Sequence, residues 1–189
     1  MDRRSTAVVV ALLWLVHPLA LADLTAEERL RAGEVVVESV TNAEGVHGLR
    51  GRFIVRASRA AIWSMLTDYV RFRDLYKNLE DVQVLSETNE GVLLKYRIRV
   101  AWMRYEYVLS RRYETPGHRI SWQRVEGDLR TVTGTWRVQD TVDPGQHLLD
   151  YESYVDVGTL VPTRLVAERA STEFVQTAER IRRHLMQPK

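Results

Sequence analysis

Cysteine is absent from this chain of 189 residues, so it can form no disulfide, offer no thiolate to a metal and carry no lipoprotein anchor. Charge of one sign is lacking too: 27 Lys and Arg stand against 25 Asp and Glu, a net +2, which excludes the basic footprint of a nucleic-acid binder. His47, His118, His147 and His184 are scattered, and His118 and His147 fall in or beside turns. No His-x-x-Glu-His, Gly-x-Ser-x-Gly or phosphate-cradling glycine pattern occurs. Metal chemistry, triad hydrolysis and nucleotide binding therefore have no signal here, and no metal or cofactor is expected. Long apolar runs are missing as well. The longest, Ala7 to Val16, is shorter than the ~20 residues that a membrane span needs.

That run has a different context. Arg3 and Arg4 precede it, Pro18 breaks it, and Ala20-Leu21-Ala22 places small residues at the minus-three and minus-one sites. Residues 1–22 are read as a cleaved secretory signal peptide rather than an uncleaved anchor, and residues 23–189 as one domain. Cleavage removes two arginines and one aspartate and leaves a net charge of +1. The chain is expected in the periplasm or outside the cell.

What is present is a regular alternation of elements. Thr25 and Glu28 form a capping box ahead of a short helix that Gly33 stops. "EVVVESV" and "VHGLRGRFIVRA" flank the turn-forming "TNAEG", giving a hairpin or one long bent strand. Ser58 caps "RAAIWSMLTDY", and "VRFRDLYKN" makes a second short helix after a kink at Thr67 to Tyr69. From "DVQVLSE" to residue 157 the chain reads as antiparallel strands cut by short turns such as "TPGH" and "DPGQ". Pro162 then opens a long helix whose Ala167, Ala170, Phe174, Ala178, Ile181 and Leu185 form one buried stripe.

A strand, two short helices, a run of antiparallel strands and a long final helix is the order of the α+β helix-grip fold. The chain resembles the START-like (SRPBCC) superfamily, most closely its polyketide cyclase/dehydrase and coenzyme Q-binding START-domain members. The resemblance rests on "IWSMLTDYVRFRDLYKNLEDVQVL", "RISW", "GTWRV", "DYESYV" and Pro162, and runs over residues 34–187. It implies a curved sheet wrapped around the last helix, with space between them for a hydrophobic small molecule: a lipid, a quinone or a polyketide-like compound.

Strand parity points Tyr96, Trp102, Tyr107, Trp122, Trp136 and Tyr151 inward, where they either line such a cavity or fill an ordinary core. Ala170, Phe174 and Ala178 face them from the helix. Arg111 shares the parity of Tyr105, Tyr107 and Leu109, so strict alternation drives a charge into apolar space, unless a bulge lets it reach water. Tyr69, Phe72 and Tyr76 are placed at the cavity rim. Arg71, Arg73 and Lys77 beside them would stay in water, or meet an anionic head group or a membrane surface in passing. Asp150, Glu152 and Asp156 alternate on the outer face of a strand and assemble no acid/base pair. The expected function is thus a binding protein, with a cyclase- or dehydratase-like enzyme and an interaction module with a filled core as the alternatives.

Overall fold

The computed structural model describes residues 24–100, 102–158 and 163–186; the expected signal peptide and Pro162 lie outside them. The first helix, α1 (Ala26–Arg31), carries the expected capping box, with the Thr25 N–H donating to Glu28 Oε2 at 2.7 Å and the Glu28 N–H donating to Thr25 Oγ1 at 3.3 Å. β1 (Val36–Thr41) and β2 (His47–Arg56) form the hairpin. α2 (Arg59–Leu66) begins where the Ala61 N–H donates to Ser58 Oγ. The kink that follows is a 3-10 turn, Tyr69–Arg71, which Asp68 caps and which runs directly into α3 (Phe72–Leu75).

Six more strands follow: β3 (Leu79–Thr88), β4 (Gly91–Val100), β5 (Met103–Thr115), β6 (Arg119–Gly127), β7 (Thr131–Asp140) and β8 (Gln146–Asp156). All eight make one antiparallel sheet in the order β1-β2-β8-β7-β6-β5-β4-β3. Only the β2–β8 pairing joins strands distant in sequence, because α2, α3 and the meander intervene. The last helix, α4 (Thr163–Met186), lies against the sheet's inner face, making the α+β helix-grip fold.

The C-terminal half of α4 is packed tight. Ala178 and Ile181 are fully buried, and Thr177 Oγ1 and Arg180 Nη1 both donate to the Leu75 carbonyl, tying the helix to α3. Phe174 closes this region from above, stacked on Tyr151 with centroids 5.2 Å apart and set edge-on to Phe53 at 6.0 Å.

Gly51 is what lets that ring approach β2. A Cβ built there would lie 2.1 Å from Phe174 Cε1, and the ring cannot retreat because Tyr151, Phe53 and Trp136 hold it. Alanine in a strand interior would ordinarily gain on glycine, but here the clash dominates. Gly51→Ala is expected to cost ~1–3 kcal/mol, read as a loss of about 2–4 °C in Tm per kcal/mol for a domain of this size. A Tm equal to wild type would show that the ring has room to move.

Candidate functional site

A cavity of about 270 Å³ lies between the sheet and the Arg169–Glu173 stretch of α4. The inward sets of β4 to β8 line it. β4 supplies Tyr96, Ile98 and Val100, β5 supplies Tyr107, Leu109 and Arg111, and β6 supplies Trp122. β7 adds Val132 and Trp136, and β8 adds Tyr151, Ser153 and Val155. Phe72 and Tyr76 close one side from α3, and Ala170 and Glu173 face them from α4. Gly134 on β7 leaves room for the wall: a Cβ there would meet the Glu152 carbonyl oxygen at 2.3 Å and the Trp122 indole at 2.4 Å.

Of the residues expected on parity, Tyr96, Tyr107, Arg111, Trp122, Trp136, Tyr151 and Ala170 are on this wall. Trp102 is not. It is 68% exposed at the tip of the β4–β5 hairpin, because Val100 pairs with Met103 and the alternation ends two residues before the indole. Phe174 and Ala178 are buried below the cavity, in the packed half of the helix, and do not line it. The rim assignment also changes. Tyr69, in the 3-10 turn, and Phe72, at the start of α3, are each 4% exposed, and the Tyr69 and Phe72 rings both lie against Arg111. The mouth is instead formed by Asn78, Leu79, Arg99, Val100, Arg169 and Glu173. Arg169 and Glu173 belong to the polar side of the helix in sequence; the signal that could have placed them is that each lies within one turn of Ala170.

Arg111 is the chemical centre of the cavity. Bulges fall either side of it, with Val125 the extra residue on β6 and Glu114 the extra residue on β5, so β5 keeps strict alternation through Arg111 and pairs it with Trp122. It is 4% exposed whereas Arg112 is exposed. Its guanidinium carbon stands 5.0 Å from the Phe72 ring centroid, 5.2 Å from Tyr69 and 5.7 Å from Trp122. Nε has no hydrogen-bond partner, and among the described residues no carboxylate pairs with the group.

The hydroxyls around it are phenols. Burial pushes Tyr96 up to about 12, and it raises Tyr69, Tyr76, Tyr107 and Tyr151 as well. At neutral pH they are uncharged, while a guanidinium does not give up its proton. The cavity therefore holds a permanent cation whose neighbours are ring faces and neutral oxygens. Desolvation of such a charge costs several kcal/mol, and each cation–π contact returns about 2 kcal/mol when dry. Tyr69 also exchanges a 2.6 Å hydrogen bond with Tyr113, which fixes the ring against which Arg111 rests.

Other polar clusters lie elsewhere. Asp150 is on the outer face of β8 as expected, yet it is 1% exposed, because Arg50 grips it at 3.0 and 2.7 Å and Arg137 approaches to 3.5 Å. That is an ion-pair network, not an acid/base pair in a cleft. His118 meets Arg59 at 3.0 Å and His147 meets Asp140 at 3.4 Å, and neither lines the cavity. No group of three metal-ligating side chains assembles among the described residues.

Comparison with known proteins follows this geometry. A family model described as polyketide cyclase / dehydrase and lipid transport matches residues 55–181. The fold is similar to that of a STAR-related lipid transfer protein from Xanthomonas axonopodis, with a TM-score of 0.67 and 19% identity over 81% of this chain and 94% of that one. Human StAR-related lipid transfer protein 5 matches with a TM-score of 0.63 and 14% identity over 80% and 82% of the two chains. The Zhui aromatase/cyclase from Streptomyces sp. R1128 matches with a TM-score of 0.56 and 20% identity over 78% and 96%. No curated protein matches the sequence.

Proposed function

Since this chain belongs to the polyketide cyclase / dehydrase and lipid transport family, we propose that it is an exported binding protein that holds one hydrophobic small molecule between the sheet and α4. The molecule has an apolar body and an acidic or carbonyl oxygen at one end. The observation that carries this reading is Arg111, a buried cation with no anionic partner among the described residues, set among aromatic rings. A ligand oxygen there would restore what burial removed, and charge-assisted hydrogen bonds are among the stronger ones.

Size narrows the occupant. A cavity of about 270 Å³ is at the small end for ligand pockets, which suits a single chain or a compact ring system better than a two-chain lipid.

A cyclase- or dehydratase-like activity draws less support from the same wall. Proton-transfer groups serve best when they titrate near the working pH, and the cavity's phenols are shifted away from it. Glu173, at the mouth, is the single carboxylate among the lining residues described.

Export is proposed from residues 1–22, whose two arginines, short apolar run and Ala-Leu-Ala end have the layout of a cleaved leader. One preparation tests both parts. Protein purified gently from the periplasmic or culture fraction should give a denatured mass beginning at Asp23, and a native mass that carries a bound molecule recoverable by solvent extraction. A membrane-held species retaining Met1 to Ala22 overturns export. An empty native species that also takes up no apolar probe overturns the binding reading.

A further inference from the structure

Beside the cavity mouth is a depression of about 450 Å³ whose walls carry four cations, Arg73, Lys77, Arg99 and Arg169, against two carboxylates, Glu80 and Glu173. Arg104 brings a fifth cation: its Nε donates to Glu80 at 2.9 Å, the same carboxylate that Arg99 engages. Glu80 therefore neutralises at most one of two arginines, and the lip keeps a positive excess. The hairpin tip that carries Trp102 belongs to this lip. The Arg99 N–H donates to the Asn78 carbonyl at 2.8 Å, Val100 lines the cavity, and the tip follows at once.

Trp102 is out of place for a soluble turn. Trp122 and Trp136 are buried, and a two-residue hairpin tip needs no aromatic side chain, yet this indole is 68% exposed next to the opening. An indole is apolar across its body with one N–H, which suits the boundary between water and lipid. Lys and Arg close to such a boundary are drawn to an anionic leaflet. Either feature alone is common on a protein surface. Together, beside the mouth lined by Asn78, Leu79 and Arg99, they are complementary to an anionic lipid surface.

We propose that this lip docks on an anionic membrane surface, with Trp102 inserted at the interface and Arg73, Lys77, Arg99, Arg104 and Arg169 facing the head groups. The mouth is then pressed to the bilayer, so an apolar molecule can pass between lipid and cavity without crossing water. The inference rests on the cavity being a binding site. The contact is peripheral, since among the described residues no helix is long and apolar enough to cross a membrane. An acidic protein would also satisfy the cations and could seat an indole, and it is the outcome that the vesicle test separates from lipid.

The test uses the purified chain, every variant having the same N-terminus, in sedimentation with vesicles of phosphatidylcholine alone or mixed equally with phosphatidylglycerol. Wild type should bind the mixed vesicles and not the neutral ones, and should release as salt rises toward ~1 M, where the screening length falls to about 3 Å. Lys77→Ala should weaken binding about fivefold, the contribution of one basic residue near such a surface. Trp102→Ala should weaken it about tenfold or more through lost interfacial burial. Neither variant touches the cavity wall, so uptake of a fluorescent fatty acid in the absence of vesicles should be unchanged in both. Failure of wild type to bind mixed vesicles while still taking up the probe overturns docking alone and points to an acidic protein acceptor. Equal binding by Trp102→Ala and wild type also overturns it. Vesicle binding without probe uptake overturns the cavity reading instead.

Discussion

Arg111→Leu is expected to weaken binding of an acidic amphiphile by roughly 10- to 100-fold, the equivalent of the ~1.5–3 kcal/mol that a hydrogen bond to a charged group contributes. Binding of the matching neutral ester should change far less, because its apolar body meets the same Tyr107, Trp122 and Val132 wall. The fold should tolerate the change. Leucine removes a desolvated cation that has no carboxylate partner among the described residues, and replacing buried charge with apolar volume is often neutral or stabilising by ~1–4 kcal/mol. The contacts to Tyr69, Phe72 and Trp122 oppose this, at ~2 kcal/mol or less each. Tm is therefore expected to stay level or rise slightly. Arg112→Leu is the control, since Arg112 is exposed on the same strand and should alter neither affinity nor Tm. If Arg111→Leu lowers Tm strongly, and the acid and ester weaken equally, the guanidinium is a structural prop for the aromatic wall and the acidic end of the ligand is lost from the proposal.

The direction of Arg111 was readable because strand alternation has a period of two and nothing between Tyr105 and Tyr113 interrupts it on β5. The same rule failed at Trp102, where parity was counted past the end of β4. Ala101-Trp102 carries none of the glycine or asparagine that marks a two-residue hairpin, so the turn left no signal. Tyr69 follows the same spacing as the buried Ile62, Met65 and Leu66, which already turns it inward; a place on the kink beside basic residues is no signal of a rim. Asp150 was put on the correct face, but its burial depends on Arg50, a hundred residues away and adjacent only once β2 and β8 pair. Val132 and Val155 share parity with Trp136 and Tyr151 and were accessible to the same argument, had it not been confined to aromatics. The apolar stripe of α4 raised the harder question. Periodicity states which residues turn toward the sheet; it carries no measure of how far away the sheet is, and that distance is what separates Ala170 on a cavity wall from Ala178 in a packed core.

Ala178→Phe and Ala170→Phe should for that reason give opposite results, although both replace a small residue on the same stripe of the same helix. Ala178 is fully buried, next to Thr177 whose hydroxyl donates to the Leu75 carbonyl, and one turn below Phe174, which Tyr151, Phe53 and Trp136 hold in place. A ring there has no volume to enter. Overpacking of that kind costs typically ~1–3 kcal/mol and sometimes more, which at ~2–4 °C per kcal/mol for a domain of this size is a clear drop in Tm. Ala170 lines about 270 Å³ of open space, into which a ring placed there can extend. Tm should be held or raised, since each Å² of apolar surface withdrawn from water contributes ~25 cal/mol, while uptake of a fluorescent fatty acid should be abolished because the ring occupies the ligand's place. Melting and probe uptake measured on the two variants side by side give four readings, and the cavity reading requires a specific set: low Tm at 178 only, and lost uptake with an intact fold at 170. If Ala170→Phe melts as low as Ala178→Phe, the sheet closes on the helix in solution along its whole length, and the protein is an interaction module with a filled core.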